Sequence, residues 1–125
     1  MGFATMGSNL SQLLNPPQLD LHPFAKSIAN EEGFRPDIYK DTKGNRTTGH
    51  GINIDDPVNA KLLPKDVLEG KRQLDPNESF EILNTKVYEA EKDAEKFIGR
   101  DIYNKLSPNQ KQALVDMSYN MGFTS

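Results

Sequence analysis

Apolar residues recur at three- and four-residue steps in the second half of the chain, and short β-prone runs between glycines interrupt the first half. Phe80, Leu83, Val87, Ala90, Ala94 and Phe97 form the longest stripe, which predicts one amphipathic helix ending near Gly99. Its start is marked by Asp75-Pro76-Asn77-Glu78: an N-cap, a proline at the first helical position and a glutamate placed to close a capping box. Ser107-Pro108-Asn109-Gln110 repeats that signal, and Ala113, Leu114, Met117 and Met121 continue a helix that Gly122 stops. Nearer the N-terminus, Pro23 opens a helix running to about Glu32, with Phe24 and Ile28 facing the core and Gly33 as its stop. Residues 38–40 and 46–48 are β-prone around the turn Asp41-Thr42-Lys43-Gly44, predicting a hairpin or a three-stranded sheet. Residues 58–63 and 66–68 read as short helical turns separated by Pro64, and Pro16-Pro17 closes an N-terminal arm. The division expected is an arm over residues 1–21 and one domain over 22–125, with a lobe at 22–72 and a helical part at 75–125.

The chemistry concentrates in residues 31–51, EEGFRPDIYKDTKGNRTTGHG. Glu32, Asp41 and Thr47 stand in an E-x8-D-x5-T spacing that crosses a helix end and a hairpin. Two carboxyls in different environments are what glycosidic cleavage requires, one as general acid and one steering water or cation. Glu32 lies at the edge of the Phe24/Ile28 stripe, near a helix C-terminus whose dipole disfavours an anion, so its proton affinity is expected to rise. Asp41 reads either as a turn aspartate bonding its own backbone or as the carboxylate that stays ionised. Thr47 is an ordinary strand residue or a hydroxyl that orients water. Asp37, directly after Pro36, is a rival second carboxylate but reads as a loop residue. Arg46 and Lys40 are placed to contact sugar or to solvate the hairpin, and His50 is structural or substrate-facing. With no cysteine and no second histidine near His50, no metal site is expected.

A chain of 125 residues is one domain in size. A net charge of −3 without a basic stripe argues against nucleic acid as a partner. No segment approaches the ~20 apolar residues of a membrane span, so no membrane insertion is expected. The first twenty residues lack a basic start and an uninterrupted apolar run, so they do not read as a signal peptide. That stretch reads as a flexible arm, or as a docking arm with Leu10, Leu13 and Leu14 as a short apolar stripe.

Taken as a block, Glu31-Glu32-Gly33, Tyr39-Lys40-Asp41-Thr42, Gly44, Thr47 and the Gly49/Gly51 pair resemble the phage-type lysozymes, glycoside hydrolase family 24. The family's Glu, Asp and Thr fall on Glu32, Asp41 and Thr47 without a gap. The resemblance covers about residues 24–122 and implies an α+β lysozyme-like fold, a small sheet-containing lobe joined by a long helix to a helical lobe. It implies hydrolysis of the β-1,4 bond between N-acetylmuramic acid and N-acetylglucosamine in bacterial peptidoglycan, with no cofactor. Glu32 would then protonate the leaving oxygen, Asp41 would position water or offset positive charge, and Thr47 would help hold the water. Tyr39, Arg46 and His50 become candidate substrate contacts. Carboxyls ~6.5–9.5 Å apart would give inversion and ~5–5.5 Å retention.

Three departures qualify the likeness. The family's histidine after Gly-x-Gly is replaced by Ile52, and a histidine falls inside the pair at His50. Lys86 stands where the family's best-known member has an aspartate on the connecting helix. The sequence also stops at Ser125, just after the helix that should sit in the middle of the helical lobe. Self-association, or a virion protein completing that lobe, is therefore expected. The role expected is a phage lysis enzyme in the host cytoplasm until lysis, or a lysozyme built into the virion. The competing expectation is a non-catalytic, lysozyme-like structural or glycan-binding module.

Overall fold

A computed structural model describes residues 19–121. The docking stripe expected at Leu10–Leu14, most of the N-terminal arm and the helix stop at Gly122 lie outside the described residues. Helix α1 (Ala25–Glu32) leads into strands β1 (Arg35–Lys40), β2 (Arg46–Gly49) and β3 (Ile52–Asn53). Two single-turn helices follow, α2 (Pro57–Ala60) and α3 (Lys65–Leu68), then the long α4 (Pro76–Ile98), the short α5 (Arg100–Lys105) and α6 (Pro108–Met121). The strands form one antiparallel sheet in the order β1-β2-β3. The architecture is α+β, as expected.

Local chemistry accounts for the element starts. Asp75 and Glu78 form a complete capping box at α4, and Arg72 clamps the Glu78 carboxylate through two hydrogen bonds of 2.8 and 2.9 Å. The guanidinium holds Glu78 down at a pKa of about 2. At α6, Ser107 N–H donates to Gln110 Oε1 and Gln110 N–H donates to Ser107 Oγ, a second reciprocal cap. Strand β1 begins three residues earlier than the β-prone run suggested and contains Pro36 and Asp37. That corrects the loop reading of Asp37. A proline is tolerated because β1 is an edge strand, where a missing N–H leaves no ladder bond unmade.

Two apolar clusters share α4. Leu83, Val87, Ala90 and Ala94 pack against Ala25, Ile28 and Ala29 of α1, Tyr103 of α5 and Val115 of α6. Ile82, one residue round the helix, belongs instead to a cluster with Ile52, Ile54, Leu63, Val67 and Leu74 beneath the sheet. One helix thus has its apolar face in both halves of the molecule, and this fixes the sheet relative to the bundle.

Four assignments of the periodic pattern are corrected. Phe97 is 65% exposed although it continues the α4 stripe, and Met117 and Met121 of α6 are exposed as well. Ala113 is also exposed, and α6 buries Val115 and Ser118, with Leu114 and Tyr119 partly covered. A period of 3.6 residues rotates a long stripe away from a neighbour of limited width, so its ends leave the contact. The pattern also gave no sign of α5, which is six residues long and buries Tyr103 alone.

A buried polar network pins the chain just before α1. His22 accepts the Phe24 N–H at Nδ1, so the ring proton sits on Nε2 and is donated to Glu91 Oε1 at 2.9 Å. Tyr103 donates its hydroxyl to Glu91 Oε2 at 2.6 Å. Asn84 and Tyr88 both donate to the Asp20 carbonyl. Residues 20–22, the last of the expected arm and the first of the expected domain, are thereby tied to α4.

Candidate active site

Glu32 is the last residue of α1, and the chain turns sharply at Gly33, whose N–H returns to the Ala29 carbonyl. The side chain is half-buried. It lines a cleft of about 380 Å³ with Gly51, Asn53, Asp56, Asn59, Lys86, Tyr119, Asn120 and Met121. Residues from α1, the β2–β3 turn, β3, α2, α4 and α6 therefore meet at one opening. Burial raises the Glu32 pKa above its ordinary value, the neighbouring Glu31 charge raises it further, and the Lys86 ammonium acts in the opposite direction. The net effect favours a proton on Glu32 over a wider pH range than on a free glutamate.

The β2–β3 turn is built to approach this carboxyl. Gly49 and Gly51 both have positive φ, +64° and +69°. A Cβ on Gly49 would collide with Ser79 Oγ and Leu74, and one on Gly51 would collide with Glu32 Oε1. The backbone at Gly51 thus lies directly against the acid. Gly51→Ala is expected to destabilise the fold by about 1–3 kcal/mol and to displace the Glu32 carboxyl. Gly70 also has positive φ (+76°) but open space around it. Gly70→Ala should therefore lower the melting temperature while sparing whatever activity depends on Glu32. Equal activity in both variants would show that the close approach at Gly51 has no bearing on the acid.

His50, between these glycines, anchors the turn. Its N–H donates to Ser79 Oγ at 2.9 Å, and the Ser79 hydroxyl lies 2.7 Å from Nδ1. The ring rests near Phe34 and Phe80, and burial lowers its pKa. These contacts hold the hairpin to the start of α4.

The remaining sequence-derived residues lie on the hairpin and do not line the Glu32 cleft. Asp41 Oδ1 accepts the N–H groups of Lys43 and Asn45 at 2.9 and 2.8 Å, which shapes the β1–β2 loop and leaves Oδ2 without a donor among the described residues. Thr47 is 3% exposed and donates its hydroxyl to the Asn45 carbonyl at 3.0 Å. Thr47 pairs with Tyr39 on one side and Asn53 on the other. Directly opposed residues share a face, so a row Tyr39–Thr47–Asn53 crosses the sheet and ends at the cleft wall. The Arg35 guanidinium covers the Tyr39 ring at 4.0 Å and pairs with Asp37, pulling that carboxylate's pKa down. Arg46 is exposed and paired through Nε with Asp55 at 2.8 Å.

Lys86, Asn59, Asn53 and Tyr119 are cleft residues that the sequence reading did not assign to the site. Lys86 is mostly buried on α4 and donates to Asn59 Oδ1 at 2.7 Å. Asn59 in turn donates through Nδ2 to the Asn53 carbonyl at 3.0 Å. The Lys86 ammonium lies 5.5 Å from the centre of the Tyr119 ring. Its pKa is lowered by burial, against the opposing influence of Asp56, Glu89 and Glu32. The one sequence signal was the unusual lysine at that place on the connecting helix.

A half-buried carboxyl of raised proton affinity, set in an open cleft between a small sheet and a helical bundle, has the properties that general acid catalysis requires. Residues 29–125 match the family model for phage lysozyme. The chain belongs to the phage lysozyme family, a family of peptidoglycan hydrolases. No curated protein matches it. No helix among the described residues is long and apolar enough to cross a membrane.

Proposed function

We propose that this chain is a muramidase of the glycoside hydrolase family 24 type, cleaving the β-1,4 bond between N-acetylmuramic acid and N-acetylglucosamine. The observation that carries the reading is Glu32, half-buried at the cleft with its proton affinity raised by burial. Glu32 donates its proton to the departing glycosidic oxygen. Asp41, with Oδ1 fixed by two backbone donors, uses Oδ2 to hold water or to offset the positive charge that develops on the sugar. Thr47 supports that water, and Tyr39, Arg46 and His50 border the strand-side approach of the glycan. A phage would use such an enzyme as an endolysin or as a virion-associated lysozyme. The exposed Met117 and Met121 of α6 suit contact with a second copy or a virion protein.

Turbidity clearing of outer-membrane-permeabilised bacteria by the purified chain tests the reading. Clearing is expected from the wild-type chain, and Asp41→Asn should lose most of it with an unchanged helical circular-dichroism signal. A folded wild-type chain that leaves turbidity constant and releases no reducing ends would sink the muramidase assignment. That result would favour a glycan-binding module instead, a second reading supported by the engagement of the Thr47 hydroxyl with the hairpin backbone.

A further inference from the structure

Lys86 presents to the cleft a cation that no carboxylate among the described residues approaches within ion-pair distance. An ammonium has three N–H donors. Among the described residues only the bond to Asn59 Oδ1 uses one of them. The group is held in place from two sides, since Asn59 is itself fixed through Nδ2 to the Asn53 carbonyl and the Tyr119 ring supports the ammonium at 5.5 Å. Desolvating a charge is costly unless a partner compensates. Glu32 and Asp56 line the same cleft, but neither lies within ion-pair distance of Lys86.

We propose that Lys86, held by Asn59 and Tyr119, is the specificity-determining residue that receives a carboxylate of the peptide stem carried by the glycan strand. The inference rests on peptidoglycan being the substrate. The acetamido sugars of that polymer are neutral, and its anionic groups hang from the muramic acid on the stem peptide. A neutral sugar is met by amides and hydroxyls, whereas a buried ammonium with spare donors is matched by a carboxylate, whose charge-assisted bonds are the stronger kind. Burial has already stripped Lys86 of much of its water, so an arriving carboxylate displaces little more. Pairing would also weaken the influence on Glu32 of a nearby cation that favours its ionised form, and so favour the protonated acid while substrate is bound.

Calorimetry tests this with two probes: soluble glycan strands bearing stem peptides with free carboxylates, and the same strands with those carboxylates converted to amides. Both are titrated into full-length Glu32→Gln protein, in which the acid is absent and strands stay intact. Free-carboxylate strands are expected to bind about tenfold more tightly than amidated ones, the scale of one charge-assisted hydrogen bond. Adding Lys86→Met, or the neutral Lys86→Gln where methionine perturbs folding, should reduce the preference to about onefold, and Lys86→Arg should restore part of it. No preference in the Glu32→Gln parent, or an undiminished one without the ammonium, overturns the proposal. Cleavage of both strand types by the wild-type chain is followed in parallel. Cleavage without preference refutes only the role of Lys86, whereas Lys86-dependent binding without cleavage refutes only the muramidase reading.

Discussion

Glu32→Gln is expected to lower wall clearing by about 10²–10⁴-fold, the usual contribution of a positioned general acid, while leaving the protein folded and more stable at neutral pH. The two effects have one origin. Burial raises the Glu32 pKa, so the folded state binds that proton more tightly than the unfolded chain does. The stability this contributes is complete below the unfolded pKa and is lost as pH rises through the higher folded value. At neutral pH the ionised carboxylate is therefore a liability that an uncharged glutamine removes. Because the side chain is only half-buried and solvent screens it, the gain is small. Thermal melts at pH 4 and pH 7 should show the variant's advantage at pH 7 and little of it at pH 4. The wild-type kcat should fall on the alkaline side with a pKa above that of an ordinary glutamate. Glu31→Gln is the control: Glu31 is exposed, and removing its charge should preserve clearing and move that alkaline limb slightly downward. Undiminished clearing by purified Glu32→Gln would falsify the assignment of the acid.

The largest loss of stability outside the apolar core is expected from Glu91→Ala. Glu91 accepts the Nε2 proton of His22, which is 2% exposed, and the hydroxyl of Tyr103, also 2% exposed. Removing the carboxylate leaves two buried donors without an acceptor, each costing about 1–3 kcal/mol, so a total of roughly 3 kcal/mol is expected by urea denaturation. Tyr103→Phe removes one donor together with its need for an acceptor and should cost clearly less. Similar losses in the two variants would mean that Glu91 contributes packing and not the shared acceptor. Because the network links the segment before α1 to α4 and α5, amide exchange should accelerate around residues 22–29 in Glu91→Ala.

The helix starts were legible in the sequence because capping is local. Asp75-Pro76-Asn77-Glu78 and Ser107-Pro108-Asn109-Gln110 each satisfy orphan backbone donors within four residues, and no distant partner is needed. The hairpin was legible for the same reason, since Asp41 folds the loop by bonding Lys43 and Asn45. Glu32 could be singled out because its place at the edge of an apolar stripe and at a helix end is written in its spacing from Phe24 and Ile28. Periodicity could not say how wide the neighbouring surface is, and so it overran at Phe97, Met117 and Met121, which are exposed. It also gave no hint of α5, whose six residues carry one buried side chain.

What surrounds Glu32 was decided by tertiary structure. Lys86 and Tyr119 sit 54 and 87 positions along the chain from Glu32, and they reach it because α4 packs against both α1 and α6 through Leu83, Val87 and Val115. The charges that set the acid's proton affinity act through space and depend on burial, a property no residue has by itself. Gly51 shows the same division: its sequence promises a turn, but only the packed fold brings that turn so close to Glu32 Oε1 that a side chain there would have to push the carboxyl aside. Residue order along the chain thus determined the longer helices, the turns and the candidate for the acid. Packing between distant segments decided which cation and which aromatic ring share its cleft, because desolvation and Coulomb forces depend on spatial separation and burial and not on position in the chain.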